Sequence, residues 1–132
     1  MKIFFYGGQT EIREQQFAET LQQRACFANM VILPGGRELL SPLSLELRGG
    51  DLLILCAASL ESFESLLRIH KKFEDFRIVI ILPRQDNDLV KKSHLLRPRY
   101  ITSFSGNMDE LDIVVEKMII SHGNDRIAEA GK

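Results

Sequence analysis

The sequence predicts a three-layer α/β/α sandwich built on a five-stranded parallel sheet. Two observations carry this prediction: short, almost continuously apolar runs alternate with amphipathic helical patterns, and the alternation extends along nearly the whole chain. Strands that are apolar along their full length are covered on both faces, which is typical of a parallel sheet with helices on each side. The 132 residues suffice for one such domain, which we place at 1–122, followed by a polar C-terminal tail at 123–132.

Five apolar runs are the predicted strands. Each is short and rich in β-branched, aliphatic or aromatic residues, and most are followed by a glycine or a proline, which end regular structure. In chain order the runs are KIFFY (2–6), MVIL (30–33), LLILCA (52–57), RIVIIL (77–82) and YITSF (100–104).

The amphipathic segments between and after the strands are the predicted helices. Thr10 caps the first, and Glu11 and Glu14 lie in its first turn, where acids interact favourably with the helix dipole. The second, at 41–48, has the least regular pattern, because its leucines alternate. The other three have apolar residues at helical spacing, and they cover 63–73, 86–96 and 107–122. We expect Gly123 to end the last helix.

Composition and charge exclude several classes of function. A formal net charge of −1 argues against nucleic acid as the main partner, and no apolar run approaches the roughly 18 residues of a membrane span. Cys26 and Cys56 are too few for a disulfide framework and both lie in apolar stretches, so we expect a reduced, cytoplasmic protein. No cysteine and histidine residues have the spacing of a metal site, and we expect no cofactor.

The order and lengths of these elements resemble the receiver domain of response regulators, a CheY-like or flavodoxin-like arrangement with strand order 2-1-3-4-5. Two stretches carry the resemblance. GDLLILC (50–56) is similar to the third strand of a receiver, and RYITSFSGNMDEL (99–111) is similar to its fifth strand and the turn into the last helix. The resemblance covers residues 2–121 and implies a signalling module of a two-component system.

The residues that carry out phosphorylation in receivers are missing. Receivers hold magnesium with an acidic pair after the first strand, close the third strand with a phosphoacceptor aspartate, and place a Ser or Thr after the fourth strand and a lysine after the fifth. At those positions this chain has, in order, Gly7 and Gly8, Cys56, Leu82 and Pro83, and Ser103. Phosphoryl transfer to a carboxylate needs a metal or fixed cations, and magnesium needs carboxylate ligands. The sequence therefore predicts a degenerate pseudo-receiver that accepts no phosphate by the receiver mechanism.

The residues around this edge have alternative interpretations. Cys56 either fills the space of a missing carboxylate or is a reactive thiol, which would need an electropositive, partly exposed setting. The glycines after the first strand either form a structural turn or offer backbone N–H groups to an anion. Glu11 and Glu14 can swing toward this edge, but no acceptor carboxylate awaits them there. We interpret Ser59 and Ser62 as helix caps.

Residues 91–99 contain several positive charges and no acid, which makes this segment the strongest candidate for a binding surface. Its cations, followed directly by an aromatic residue, are Lys91, Lys92, Arg97, Arg99 and then Tyr100. This segment is either a solvated face or a docking surface. The resemblance implies the second, because in receivers the face made by the fourth helix, fifth strand and fifth helix is the usual site of dimerisation and partner contact. A basic surface there attracts an acidic partner.

The sequence thus predicts a non-catalytic signalling module that acts through phosphorylation-independent protein–protein interaction. Its partner is a second copy, in a homodimer formed through that face, or another protein with an acidic surface. Two alternatives from other classes are a small-ligand or anion sensor and a thiol-based redox sensor, both at the carboxyl ends of strands 1 and 3. We expect no enzyme activity, no nucleic-acid partner and no membrane partner.

Overall fold

The computed structural model describes residues 3–7, 12–24, 27–32, 51–73 and 76–130. Within residues 72 and 121–130 it describes the backbone only. Several predicted features lie outside the described residues, namely Gly8, the Thr10 cap, Glu11, Cys26 and the helix at 41–48.

The described strands form one parallel sheet in the order β2-β1-β3-β4-β5. Their bounds are β1 (Ile3–Gly7), β2 (Val31–Ile32), β3 (Leu52–Cys56), β4 (Arg77–Leu82) and β5 (Tyr100–Ser103). The predicted strand order and the flavodoxin-like α/β fold are confirmed. The fourth strand has the predicted bounds, whereas β2 begins at Val31, one residue after the start of its apolar run, and is exposed.

Four helices are described, and we number them in chain order. They are α1 (Ile12–Gln22), α2 (Leu60–Arg68), α3 (Asn87–Ser93) and α4 (Met108–Ala130). Short 3-10 turns, His70–Phe73 and His94–Leu96, extend α2 and α3. The expectation that Gly123 ends the last helix is wrong, because the helical backbone continues to Ala130. A glycine inside a helix costs about 1 kcal/mol relative to alanine and does not by itself end it.

Side chains from alternate strand positions pack on opposite faces of the sheet, which gives the predicted three layers. Phe4 and Tyr6 of β1 lie in the cluster that contains Phe63 of α2 and Leu89 of α3. The other cluster joins strand residues to helices α1 and α4, and includes Phe5, Cys56, Ala18, Leu21, Leu111 and Val115. A period of two along each strand therefore places α2 and α3 on one face and α1 and α4 on the other.

Charged and aromatic contacts join α1 and the turn after it to the chain after β5. Arg24 donates to Asp112 Oδ2 from Nε and to Asp109 Oδ1 from Nη2, both at 2.6 Å. The hydrogen bond to Asp112 is the largest cause, and that to Asp109 the next, of a raised pKa of the Arg24 guanidinium. Phe17 packs edge-on against Phe104 with ring centroids 5.1 Å apart. Within the described residues, no helix has both the length and the apolar composition needed to cross a bilayer.

Candidate functional site

The carboxyl ends of β1 and β3 lie side by side at the point where the strand order reverses. Gly7, the last residue of β1, pairs with Cys56, the last residue of β3, and Cys56 pairs in turn with Ile81 of β4. In open α/β sheets, ligands bind above the carboxyl ends of strands at such a reversal. This edge is therefore the first candidate site.

Four of the positions that the resemblance singled out, Gly7, Cys56, Leu82 and Ser103, lie at this edge and are buried. Leu82 and Ser103 end β4 and β5 as paired neighbours, with Leu82 1% and Ser103 3% exposed. Pro83 is half-buried. The Ser103 hydroxyl lies 3.0 Å from that of Ser105 and is therefore hydrogen-bonded within its own turn. These residues form a packed end of the sheet.

Cys56 is fully buried in an apolar environment. Its exposure is 0%, and it belongs to the cluster that includes Ile54, Val79 and Ile81. A reactive cysteine needs an electropositive, partly exposed setting. The burial of Cys56 supports the interpretation that it fills space left by a missing carboxylate.

Glu14, which the sequence analysis placed in the first turn of the first helix, reaches this edge as a buried carboxylate. Its side chain is 2% exposed, and Oε2 accepts hydrogen bonds from the Ala58 backbone N–H at 2.9 Å and from the Ser62 hydroxyl at 2.5 Å. The helical spacing to Ala18 and Leu21 was the available signal, since it places Glu14 on the buried stripe of α1.

The contacts of Glu14 also correct the interpretation of the two serines. Ser59 is the N-cap of α2, and its side chain accepts from the Ser62 backbone N–H at 3.1 Å, as predicted. Ser62 is not a cap. It is 0% exposed, and its hydroxyl donates to a carboxylate on another helix. The position of Ser62 near the start of a helix had suggested a hydrogen bond within that helix. Its hydroxyl instead bonds Glu14, which is distant in the sequence.

Burial and the Glu14 carboxylate raise the pKa of the Tyr6 phenol above its usual value, with burial the larger cause. Tyr6 is 2% exposed and its ring lies 6.1 Å from that of Phe73. A carboxylate nearby disfavours a second negative charge, so the tyrosine stays a neutral phenol.

The Glu14 carboxylate lies beside the start of α2. It accepts the Ala58 backbone N–H just before that helix and gains from the positive end of the helix dipole. An anion at the start of α2 would meet its negative charge. Among the described residues, no group of three or more His, Cys, Asp or Glu side chains is placed to hold a metal ion.

The second candidate site is the basic surface, which we define as Lys91, Lys92, Arg97 and Arg99. All four residues are exposed, and Tyr100 beside them is half-buried. In the described part of the chain, their side chains form no hydrogen bond or ion pair, whereas nearby Arg84 pairs with Asp86 at 3.3 Å. Burial, and then Glu110 on α4, raise the pKa of Tyr100.

Arg97 has an unusual backbone conformation within the basic surface. It ends the 3-10 turn that follows α3 with φ 51° and ψ 54°, the left-handed region, and its N–H donates to the His94 carbonyl at 3.0 Å. A residue with a β-carbon in this region costs roughly 1 to 2 kcal/mol. The turn projects a charged side chain from a conformation that glycine or asparagine would adopt more easily.

Comparisons of the chain with protein-family models, with curated proteins and with solved structures find no match.

Proposed function

We propose that the chain is a pseudo-receiver, a non-catalytic signalling module of the response-regulator type that acts by binding an acidic partner protein. The observation that carries the proposal is the basic surface. Lys91, Lys92, Arg97 and Arg99 lie within residues 91–99 and are all exposed, with no acid of the described chain in an ion pair with any of them. A surface of one sign attracts a partner of the opposite sign and speeds its association.

The carboxyl edge supports a mode of action without phosphate. Phosphorylation of a carboxylate there would require an acceptor and a magnesium site, and the ends of β1 and β3 carry Gly7 and Cys56 instead. The Glu14 carboxylate at this edge is buried and hydrogen-bonded. Contact with the partner then occurs at a different surface of the chain, the basic surface.

An acidic partner is favoured over a homodimer by the charge of the surface. A two-fold dimer places the same patch on both sides of the interface, so the four cations would face one another or their near neighbours. Like charges brought together disfavour such pairing. Self-association through α3, β5 and α4 is therefore the second candidate, and light scattering at low and high salt distinguishes it from a monomer that awaits a partner.

We further propose that the module works in the cytoplasm. Cys56 is buried in the apolar core, and the chain has only one other cysteine, Cys26. Such usage is typical of reducing compartments.

Two experiments test this function. A fluorescein-labelled peptide of alternating glutamate and glycine is titrated with the protein, and its glutamine counterpart is the neutral control. Saturable binding of the acidic peptide that weakens steeply with salt supports the proposal, because at about 1 M salt the Debye length is only about 3 Å. Equal binding of both peptides contradicts it. Mass spectrometry after incubation with magnesium and a small phosphodonor tests the second part, and a stable aspartyl or glutamyl phosphate would contradict it.

A further inference from the structure

A pocket of about 170 Å³ lies beside the basic surface, where β4 and β5 begin. His70, His94, Leu95, Leu96 and Arg97 line it. Two 3-10 turns pack together to form it, one after α2 and the other after α3. It is therefore at the opposite end of the sheet from the Glu14 carboxylate.

Two features of the pocket limit what can occupy it. Pockets for drug-sized ligands have volumes of about 300 to 1,000 Å³, so this one has room for a small group such as a single side chain. Two imidazoles and one guanidinium line it with no carboxylate among its lining residues. Guanidinium binds carboxylates through paired hydrogen bonds, and an imidazole ring can donate an N–H.

The backbone of Arg97 has an unusual conformation at the pocket. Its left-handed backbone, φ 51°, follows directly on the turn that carries His94, Leu95 and Leu96. Strained conformations persist where the surrounding structure holds them, and they cluster at ligand-binding positions. At the rim, Leu95 is 52% exposed and offers an apolar contact next to the cations.

We propose that this pocket receives a side-chain carboxylate from an acidic partner segment, with an apolar residue of the same segment packed on Leu95. The inference rests on the proposed function, because it describes how the chain would recognise the acidic partner. The exposed lysines attract the segment without regard to its sequence, whereas the pocket selects an acid beside an apolar residue. Arg97 belongs to both the basic surface and the pocket, so its substitution should weaken binding of the segment most.

The test uses the side chain alone as the probe. N-acetylglutamate amide is titrated into the full-length protein and the histidine ring signals of His70 and His94 are followed by NMR. We expect both to shift saturably, and we expect N-acetylglutamine amide, which has the same shape without the charge, to leave them unmoved. Arg97→Asn, which suits the left-handed backbone, weakens binding by about tenfold, the loss of one charged hydrogen bond. Arg84→Gln, in a residue outside the pocket, leaves it unchanged.

Three outcomes overturn the inference. They are shifts equal for glutamate and glutamine probes, no loss of affinity in Arg97→Asn, and inorganic phosphate as the only probe that binds, which would make the pocket a free-phosphate site. If the glutamate probe fails while the acidic peptide still binds in a salt-dependent way, the pocket inference fails and the proposed function stands. If the acidic peptide also fails to bind, both fail.

Discussion

Glu14 of α1 and Ser62 of α2 are hydrogen-bonded across the carboxyl edge of the sheet, although 48 residues separate them and their helices pack on opposite faces. The same Glu14 oxygen accepts the Ala58 backbone N–H at 2.9 Å. One buried carboxylate thus links α1 to the turn after β3, at the position where ligands of such sheets bind. This arrangement gives the edge a structural role, and the proposed contact with a partner lies at the surface of α3 and β5.

Removal of the Glu14 carboxylate should destabilise the fold. Glu14→Ala leaves the Ala58 N–H and the Ser62 hydroxyl without their acceptor, and a buried donor left unpaired costs about 1 to 3 kcal/mol. We expect a loss of about 3 kcal/mol in the free energy of unfolding, measured by urea denaturation. Glu19→Ala, an exposed glutamate of the same helix, is the matched control and should change it by less than about 0.5 kcal/mol.

A double-mutant cycle separates the Glu14–Ser62 bond from other effects of these substitutions. Glu14→Ala, Ser62→Ala and the double variant are compared, and we expect a coupling energy of about 1 kcal/mol or more. Strict additivity of the two single changes would show that the bond contributes nothing.

The raised pKa of Tyr6 predicts an alkaline limit to stability. Because the folded pKa lies above the unfolded value of about 10, the contribution of Tyr6 to stability is intact below pH 10 and is lost as the pH rises through the folded pKa. In a Tyr100→Phe variant, phenolate absorbance reports Tyr6 alone, since the chain has two tyrosines. We expect a midpoint above 10 in the native protein and near 10 in urea. Glu14→Gln should lower the native midpoint, and a native midpoint of 10 would contradict the account.

The left-handed backbone of Arg97 predicts which substitutions it tolerates. Arg97→Asn should leave the free energy of unfolding within about 0.5 kcal/mol, because asparagine adopts this region readily. Arg97→Val should lower it by about 1 to 2 kcal/mol, because a β-branched side chain clashes there. Chemical denaturation of the two variants measures the difference. Equal stability of the valine and asparagine variants would count against this conformation.

The burial of Cys56 predicts an inert side chain in the native state. In a Cys26→Ser variant, a thiol reagent such as Ellman's reagent should label Cys56 only when the protein unfolds, since the residue is 0% exposed. Rapid labelling under native conditions would contradict this prediction and revive the redox alternative.

The sheet could be predicted from the sequence because its strands are short apolar runs with clear ends. The run at 77–82 has the bounds of β4, and the alternation of elements gave the strand order through a resemblance that covers nearly the whole chain. Boundaries were less predictable, since β2 begins one residue after the start of its run and glycine at 123 does not interrupt α4.

The site could be predicted only in part. The sequence indicated the exposed cations, because four positive charges without an acid are visible in a linear pattern. It did not indicate the Glu14–Ser62 bond, because an acid in the first turn of a helix is normally solvated and its partner lies 48 residues away. The pocket was missed for a related reason. The sequence predicted a helix over 63–73, whereas His70 in this range lies in a 3-10 turn that packs against the turn at His94.

The central claim is that the basic surface binds an acidic partner. Its most direct test is the affinity of the labelled acidic peptide for two variants of equal net charge, measured by fluorescence anisotropy at low salt. One variant neutralises the surface with Lys91→Gln, Lys92→Gln, Arg97→Asn and Arg99→Gln. The other adds four acids at exposed positions around α1 with Gln15→Glu, Gln16→Glu, Gln23→Glu and Asn29→Asp.

Surface pairs contribute roughly 0.2 to 1 kcal/mol each, so loss of four of them should weaken binding by about tenfold or more in the first variant. The second variant, whose added acids lie away from the basic surface, should bind within about threefold of the unmodified protein. Circular dichroism of both variants verifies that they are folded. Equal losses in the two variants would show that only net charge matters, and that result would contradict a binding surface at α3 and β5.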